Sequence, residues 1–274
     1  MNVCSSKVLI QKIKFEPFYI YGAGRAAARL YNVLKNKKLL ENFHGFVVSS
    51  NANNQDFDGK IYAVSNDNLN RKANVFISTH KVFLSEVIEA LSNNGFSRYE
   101  WIYPTIFDLE YGEPVLIEQQ RNVKQLVSNM RSKYMLALFY LAIENFLGKN
   151  DFGIDCHIKF HMSHVSRLTA EKIAKLFCKR IEDYLKTNEL EPYPIMINSR
   201  EDYCMDGNHK LILAYYFNVL SINCNVYAEN DVINKLRDEN SSAIKESYHE
   251  IRAFHTEREA LAILDVMKKF EKAD

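Results

Sequence analysis

The sequence predicts an α/β protein: an open, mostly parallel sheet covered by helices in its first half, a helical connector, and a smaller α+β region with a helical tail. Three observations carry this. From Phe18 to about Ile106, short apolar runs bounded by turns alternate with segments of helical spacing, the rhythm of βαβ units. The stretch from Asn122 to Leu147 then turns helical, with Val123, Leu126, Val127, Met130, Tyr134 and Leu138 among its apolar positions. Finally, a run from about His157 to Tyr227 places one long helix and two apolar strands around a second glycine turn.

The first-half elements follow in order. Phe18-Tyr19-Ile20-Tyr21 is a short buried strand ending at Gly22-Ala23-Gly24, and Ala26 to Leu34 has helical spacing. Phe43 to Val48 and Lys60 to Val64 read as further strands, separated by an Asn/Asp-rich turn. Ala73 to Ser78 is another strand, followed by an amphipathic helix from Val82 to Asn93 with Gly95 at its C-terminal stop. Trp101-Ile102-Tyr103 ends at Pro104.

In the second half, Cys156-His157-Ile158-Lys159-Phe160-His161-Met162 alternates strictly between apolar and polar, so a half-buried strand is expected. On a strand, His157, His161 and His164 would lack the i, i+4 helical spacing that a metal pair exploits, and no metal centre is expected. Thr169 to Leu185 reads as a helix capped by Thr169, with Glu171 in its first turn. Pro194 to Ile197 and Ile222 to Tyr227 read as strands, and Leu211 to Val219 as the helix between them. Thr256-Glu257-Arg258-Glu259 is a capping box that opens a last helix to about Lys272.

Composition narrows the function classes. Hydrophobic residues make up 47% of the 274, enough to bury a substantial core, and the net charge of +1 supplies no global field for nucleic acid. The five cysteines are odd in number and form no C-x-x-C pair, which predicts reduced thiols rather than a disulfide framework or a cysteine zinc site. The N-terminus has no uninterrupted apolar core, and Tyr134 to Leu147 is too short to span a bilayer. A cytoplasmic protein without membrane or clear nucleic-acid partners is expected.

Two glycine corners carry the chemistry. In Gly22-x-Gly24-x-x-Ala27, Gly22 permits the tight turn, Gly24 lets a phosphate approach the backbone, and small Ala27 lets helix and strand pack closely. Arg25 adds a cation at the same turn. The second strand ends Val48-Ser49-Ser50-Asn51, without the acid that usually holds an adenosine ribose, so NAD(P) is the less favoured ligand. The second corner is Asp206-Gly207-Asn208-His209-Lys210. Gly207 and Asn208 would present backbone N–H groups at a helix start, with His209 and Lys210 as charge-compatible donors. Asp206 would hold a metal ion bridging phosphates, or accept the turn's own N–H groups.

The segment from Phe18 to Pro104, through IYGAGRAAARLYNVL, HGFVVSS, VFIST and GFSRYEWIYP, resembles the Rossmann-like N-terminal domains of bacterial sugar O-acyltransferases and related surface-polysaccharide proteins. That resemblance implies a nucleotide-sugar site. No hexapeptide repeat follows, so the β-helix of those transferases is not expected. The stretch from His157 to Tyr227, through TAEKIAKLFCKRIEDYL, YPIMIN, REDYCMDGNHKLILAYYF and INCNVY, is similar to the ParB/sulfiredoxin-like nucleotide-binding fold. Some members of that family, free-serine kinases among them, carry Asp-Gly-x-His-Arg at this turn; here the last position is Lys210. The resemblance implies ATP or CTP with Mg2+, phosphates held by Gly207, Asn208 and Lys210, and catalytic roles for Asp206 and His209. An acceptor base would come from Asp155, His161, His164 or Glu171, with Lys159 and Arg167 as further phosphate contacts.

The expected organisation is thus a Rossmann-like domain over 1–118, a connector over 119–150, a ParB/sulfiredoxin-like domain over 151–230 and a helical tail over 231–274. The expected function is nucleotide-dependent phosphotransfer to a small molecule, such as a sugar or nucleotide sugar of surface-polysaccharide synthesis. The alternatives are an NAD(P)-dependent oxidoreductase using the first corner and a non-catalytic nucleotide-binding regulator.

Overall fold

The structure, a computed structural model, describes residues 5–49, 59–79, 83–239 and 244–271. The chain divides into two compact units, Met1–Glu113 and Pro114–Asp274.

The first unit runs α1 (Ser6–Phe15), β1 (Phe18–Tyr21), α2 (Arg25–Asn36), β2 (Phe43–Val48), β3 (Ile61–Ala63), β4 (Asn74–Ile77), α3 (Leu84–Asn93), β5 (Tyr99–Trp101) and α4 (Tyr103–Tyr111). All five strands are parallel, in the order β3-β2-β1-β4-β5. The alternation of side chains along each strand divides the apolar residues between two cores. Phe18, Ile20, Phe46 and Phe76 face α1, α2 and α4 in one buried cluster. Tyr19, Tyr21, Val47, Val75 and Ile77 share the other with Val87 and Leu91 of α3. This is the Rossmann-like α/β architecture that the sequence predicts. Order reverses between β1 and β4, so the crevice at the carboxyl ends of these two strands is the topological switch point.

The second unit contains β6 (Leu116–Asn122), α5 (Val123–Asn129), α6 (Lys133–Phe146), α7 (Gly153–Met162), α8 (Arg167–Thr187), β7 (Ile195–Asn198), β8 (Cys204–Asp206), α9 (Asn208–Tyr216), β9 (Ser221–Tyr227), α10 (Asp231–Glu239), α11 (Tyr248–Arg252) and α12 (Glu257–Glu271). Its sheet has the order β6-β9-β7-β8; β7 and β9 are parallel, and the two outer pairs are antiparallel. Helix α6 is buried along most of its length, from Tyr134 through Ile143, as expected of a helix apolar on nearly all sides. The segment read as a connector is therefore built into this unit. Residues of α5 and α6 share one core with α8, α9, α12 and the sheet. The capping box at Thr256 is present, with Thr256 N donating to Glu259 Oε2 and Glu259 N donating to Thr256 Oγ1.

Two expectations fail here. Residues 156–162 are not a strand but the larger part of α7. Seven residues fit period 2 and period 3.6 alike, and the flanks decide between them. Asn150 Oδ1 accepts from the backbone N–H groups of Phe152 and Gly153, and Asn145 Oδ1 accepts from that of Ile154. These bonds satisfy the first turn of a helix. Gly153 lets α7 lie against α6: a Cβ there would fall 2.0 Å from the carbonyl oxygen of Leu141. The burial of Gly153, Cys156 and His157 then follows helical spacing. Second, α8 starts at Arg167, capped by Ser166 rather than Thr169; the Ser166 hydroxyl accepts from Thr169 N.

Candidate functional sites

At the first corner, β1 delivers the chain into Gly22 at the carboxyl edge of the parallel sheet. Gly22 has φ +113°, and a Cβ there would lie 3.2 Å from Ser78 Oγ and 3.4 Å from the Thr79 methyl. Both conformation and space reserve this position for glycine. Gly22 N donates to the Val47 carbonyl, while Ser78 N and Oγ both donate to that of Tyr21, tying the turn to β2 and β4. Gly24 caps α2 with no side-chain hydrogen bond, and a Cβ on it would meet nothing within 4 Å. The helix's first internal bond closes from Ala28 N to the Gly24 carbonyl, so the preceding amides head an open face. No acidic residue occupies the first turn of α2. Beside this corner the buried Thr79 Oγ1 has no hydrogen-bond partner among the described residues. Tyr21 and Ser49 hydroxyls meet at 2.5 Å at the neighbouring strand ends. The side chain of Arg25, and Ser50 and Asn51, lie outside the described residues.

The second corner has the same strand–glycine–helix form and a different interior. Gly207 (φ +101°) follows β8, and a Cβ on it would fall 2.5 Å from Ile195 Cγ2. Asp206 Oδ1 accepts from Gly207 N, the local turn bond that was one of its two expected roles. Asn208 Nδ2 donates to the Cys204 carbonyl, while its buried Oδ1 has no hydrogen-bond partner among the described residues. Lys210 is buried; its ammonium donates to the Tyr193 carbonyl, and burial pulls its pKa below the usual lysine range despite nearby Glu191.

His209 points away from Lys210, into the helical layer. Its ring packs between Phe139 of α6 and Phe177 of α8, each 4.4 Å away between centroids, and its Nε2 lies 2.8 Å from Nε2 of His157. His157 is fully buried, stacked on Phe177, and burial drives its pKa down to about 3. One turn on, His161 lies 4.6 Å from His157 and is stacked on Phe139. Three imidazoles, one from α9 and two at i, i+4 on α7, thus offer nitrogens within 4.8 Å of one another. The strand expectation hid this set, because only the helix brings residues 157 and 161 to one face.

Comparison with protein-family models, with curated proteins and with solved structures found no match to this chain. The functional reading therefore rests on the geometry.

A second buried group lies on the other side of α7. Cys156 Sγ is 3.7 Å from His255 Nδ1, whose ring also faces Glu259 at 3.4 Å and the Tyr134 hydroxyl at 2.7 Å. Burial pushes the Cys156 thiol up to about 12, which makes it a poor nucleophile. Burial also lowers the pKa of His255, against the pull of Glu259. For Glu259 burial opposes the charge, but the Thr256 N–H, Lys159 and His255 outweigh it and hold the carboxylate ionised. Among the expected acceptor bases and phosphate contacts, Lys159 is committed to Glu259 at 3.0 Å. Asp155, Arg167 and Glu171 instead line a cleft of about 560 Å³ between α7 and α8. His164 packs edge-on to Phe160.

Proposed function

We propose that the protein binds a nucleotide or nucleotide sugar at the first glycine corner. The observation that carries this reading is the open Cα of Gly24 at the head of α2, beside the β1/β4 switch point. The diphosphate would lie against the first-turn amides of α2. A sugar of surface-polysaccharide synthesis is the acceptor or passenger that the sequence resemblance favours. Phosphoryl transfer at the second corner has weaker support. His209 pairs with His157, Lys210 donates to the Tyr193 carbonyl and Asp206 accepts from the Gly207 N–H, so these three side chains are engaged within the protein.

The test is a thermal-shift screen of ATP, CTP, UDP-sugars and NAD(P), with and without Mg2+. A ligand at a hundred times its Kd stabilises by about 2.7 kcal/mol, a shift on the order of 10 °C for a unit of this size. Gly24→Val is the matched control: φ at Gly24 is −105°, and a Cβ there meets nothing within 4 Å among the described residues. The variant should fold and lose the shift. Retention of the full shift in Gly24→Val would remove the first corner as the binding site.

A further inference from the structure

We propose that His157, His161 and His209 form a three-histidine site for a borderline divalent transition metal, Zn2+ foremost, with a fourth coordination position open to water. The site lies wholly within the second unit and is independent of the nucleotide reading.

The first support is placement. His157 and His161 project from consecutive turns of α7, and His209 meets them from the first turn of α9. With metal–nitrogen bonds of about 2.0–2.1 Å, a tetrahedral ion needs its ligand nitrogens about 3.4 Å apart. The nitrogens here lie within 4.8 Å of one another, and the closest resolved pair is at 2.8 Å. Closing the set on one ion therefore asks for shifts of roughly 1 Å, within reach of small side-chain rotations.

The second support is chemical. The Nε2 atoms of His157 and His209 face each other at 2.8 Å, so at most one of them carries a proton, and a cation satisfies both lone pairs as well as that proton does. The other nitrogen of His157, Nδ1, is buried with no hydrogen-bond partner among the described residues. The rings are also pre-oriented. Phe139 packs on all three imidazoles and Phe177 on those of His157 and His209.

Ligand type selects the ion. Three neutral imidazoles suit Zn2+, Co2+ or Ni2+, whereas Mg2+ and Ca2+ take oxygen ligands. His161 and His209 are only half-buried, so the set lies near the surface of the unit rather than at the centre of its core. The Cys156–His255–Glu259 group is the competing candidate, but its members are already engaged: Glu259 with Lys159 and Thr256, and His255 with Tyr134.

The experiment uses the full chain, stripped with chelator and titrated in separate samples with Zn2+ and with Co2+. One equivalent should bind, and Co2+ should develop the intense visible absorption of a four-coordinate nitrogen site, without a thiolate charge-transfer band. His161→Ala removes a half-buried ligand from a helix without adding strain and should weaken binding more than about 100-fold, since even outer-sphere partners are worth 10–100-fold. Should that variant lose its circular-dichroism spectrum, His161→Gln takes its place under the same expectation. The proposal is overturned if cobalt keeps the spectrum of the hydrated ion, if a thiolate band marks the cysteine group instead, or if a folded His161 variant binds as tightly as the wild type.

Discussion

The two glycine corners share one local grammar and do opposite things with it. Each takes a strand through a glycine at positive φ into the first turn of a helix. At Gly22–Gly24 the turn rests on backbone bonds to β2 and β4, and the face above Gly24 stays open. At Gly207 the space is filled by Ile195, and the side chains of His209 and Lys210 are drawn inward, one to an imidazole and one to a carbonyl. A motif written in residue types specifies the turn. Whether the turn meets ligand or core is set by what the rest of the unit puts above it.

Substitutions at these glycines and their neighbours separate the two cases. The largest effect belongs to Gly207→Ala. A left-handed backbone and a Cβ inside the van der Waals radius of Ile195 together cost roughly 2–5 kcal/mol, read as a lowered denaturation midpoint of the second unit. Unchanged stability would mean that the second corner is as open as the first.

Acid should discriminate next. Folded His157 has a pKa near 3 and His255 one below its usual value, so as pH falls through about 6.5 the unfolded chain takes up protons that the folded chain does not. Stability is therefore full above that range and lost below it, by up to about 1.4 kcal/mol per pH unit for each histidine. Urea titrations at pH 7.5, 6 and 5 should show the second unit weakening first. His157→Phe, which keeps the stack on Phe177, should flatten that slope; a slope equal in both units would break the contrast.

Gly24→Val should cost about 1 kcal/mol or less, the expected loss for replacing a glycine N-cap, while abolishing the nucleotide shift. The least effect on ligand binding is expected for Lys210→Met. A buried amine replaced by a thioether of similar volume should change stability by less than about 1.5 kcal/mol and leave any nucleotide shift untouched. Loss of that shift would restore Lys210 as a phosphate contact.

The first unit was legible because its central strands β1 and β4 are buried on both faces and lie in apolar runs between turn signals. Both corners were legible as turns for the same local reason. The second unit was less so. LIEQQRN has neither alternation nor β-branched enrichment, because β6 is an exposed edge strand held by pairing with distant β9. Cys204–Asp206 is three residues long and looks like part of a loop. The seven-residue alternation around His157 supported two periods equally, and the wrong choice separated His157 from His161. Only tertiary structure brings His209 to them, across 52 residues of chain.

The pairing of β6 has a further consequence, for the order in which the molecule is made. Contacts of β6 with β9 bridge more than 100 residues, such as Gln120 to Asn223 and Glu118 to Asn225. A chain emerging N-terminus first can complete the parallel sheet of the first unit while β6 still waits for its partner to be synthesised. During that interval Val115, Leu116 and Ile117, exposed even in the finished fold, form an apolar strand edge with nothing to pair. Glu118 breaks it with a left-handed backbone at φ +51°, where the register slips, and Arg121 adds charge further along. The irregularity in β6 thus interrupts the apolar edge that the strand presents until β9 is available.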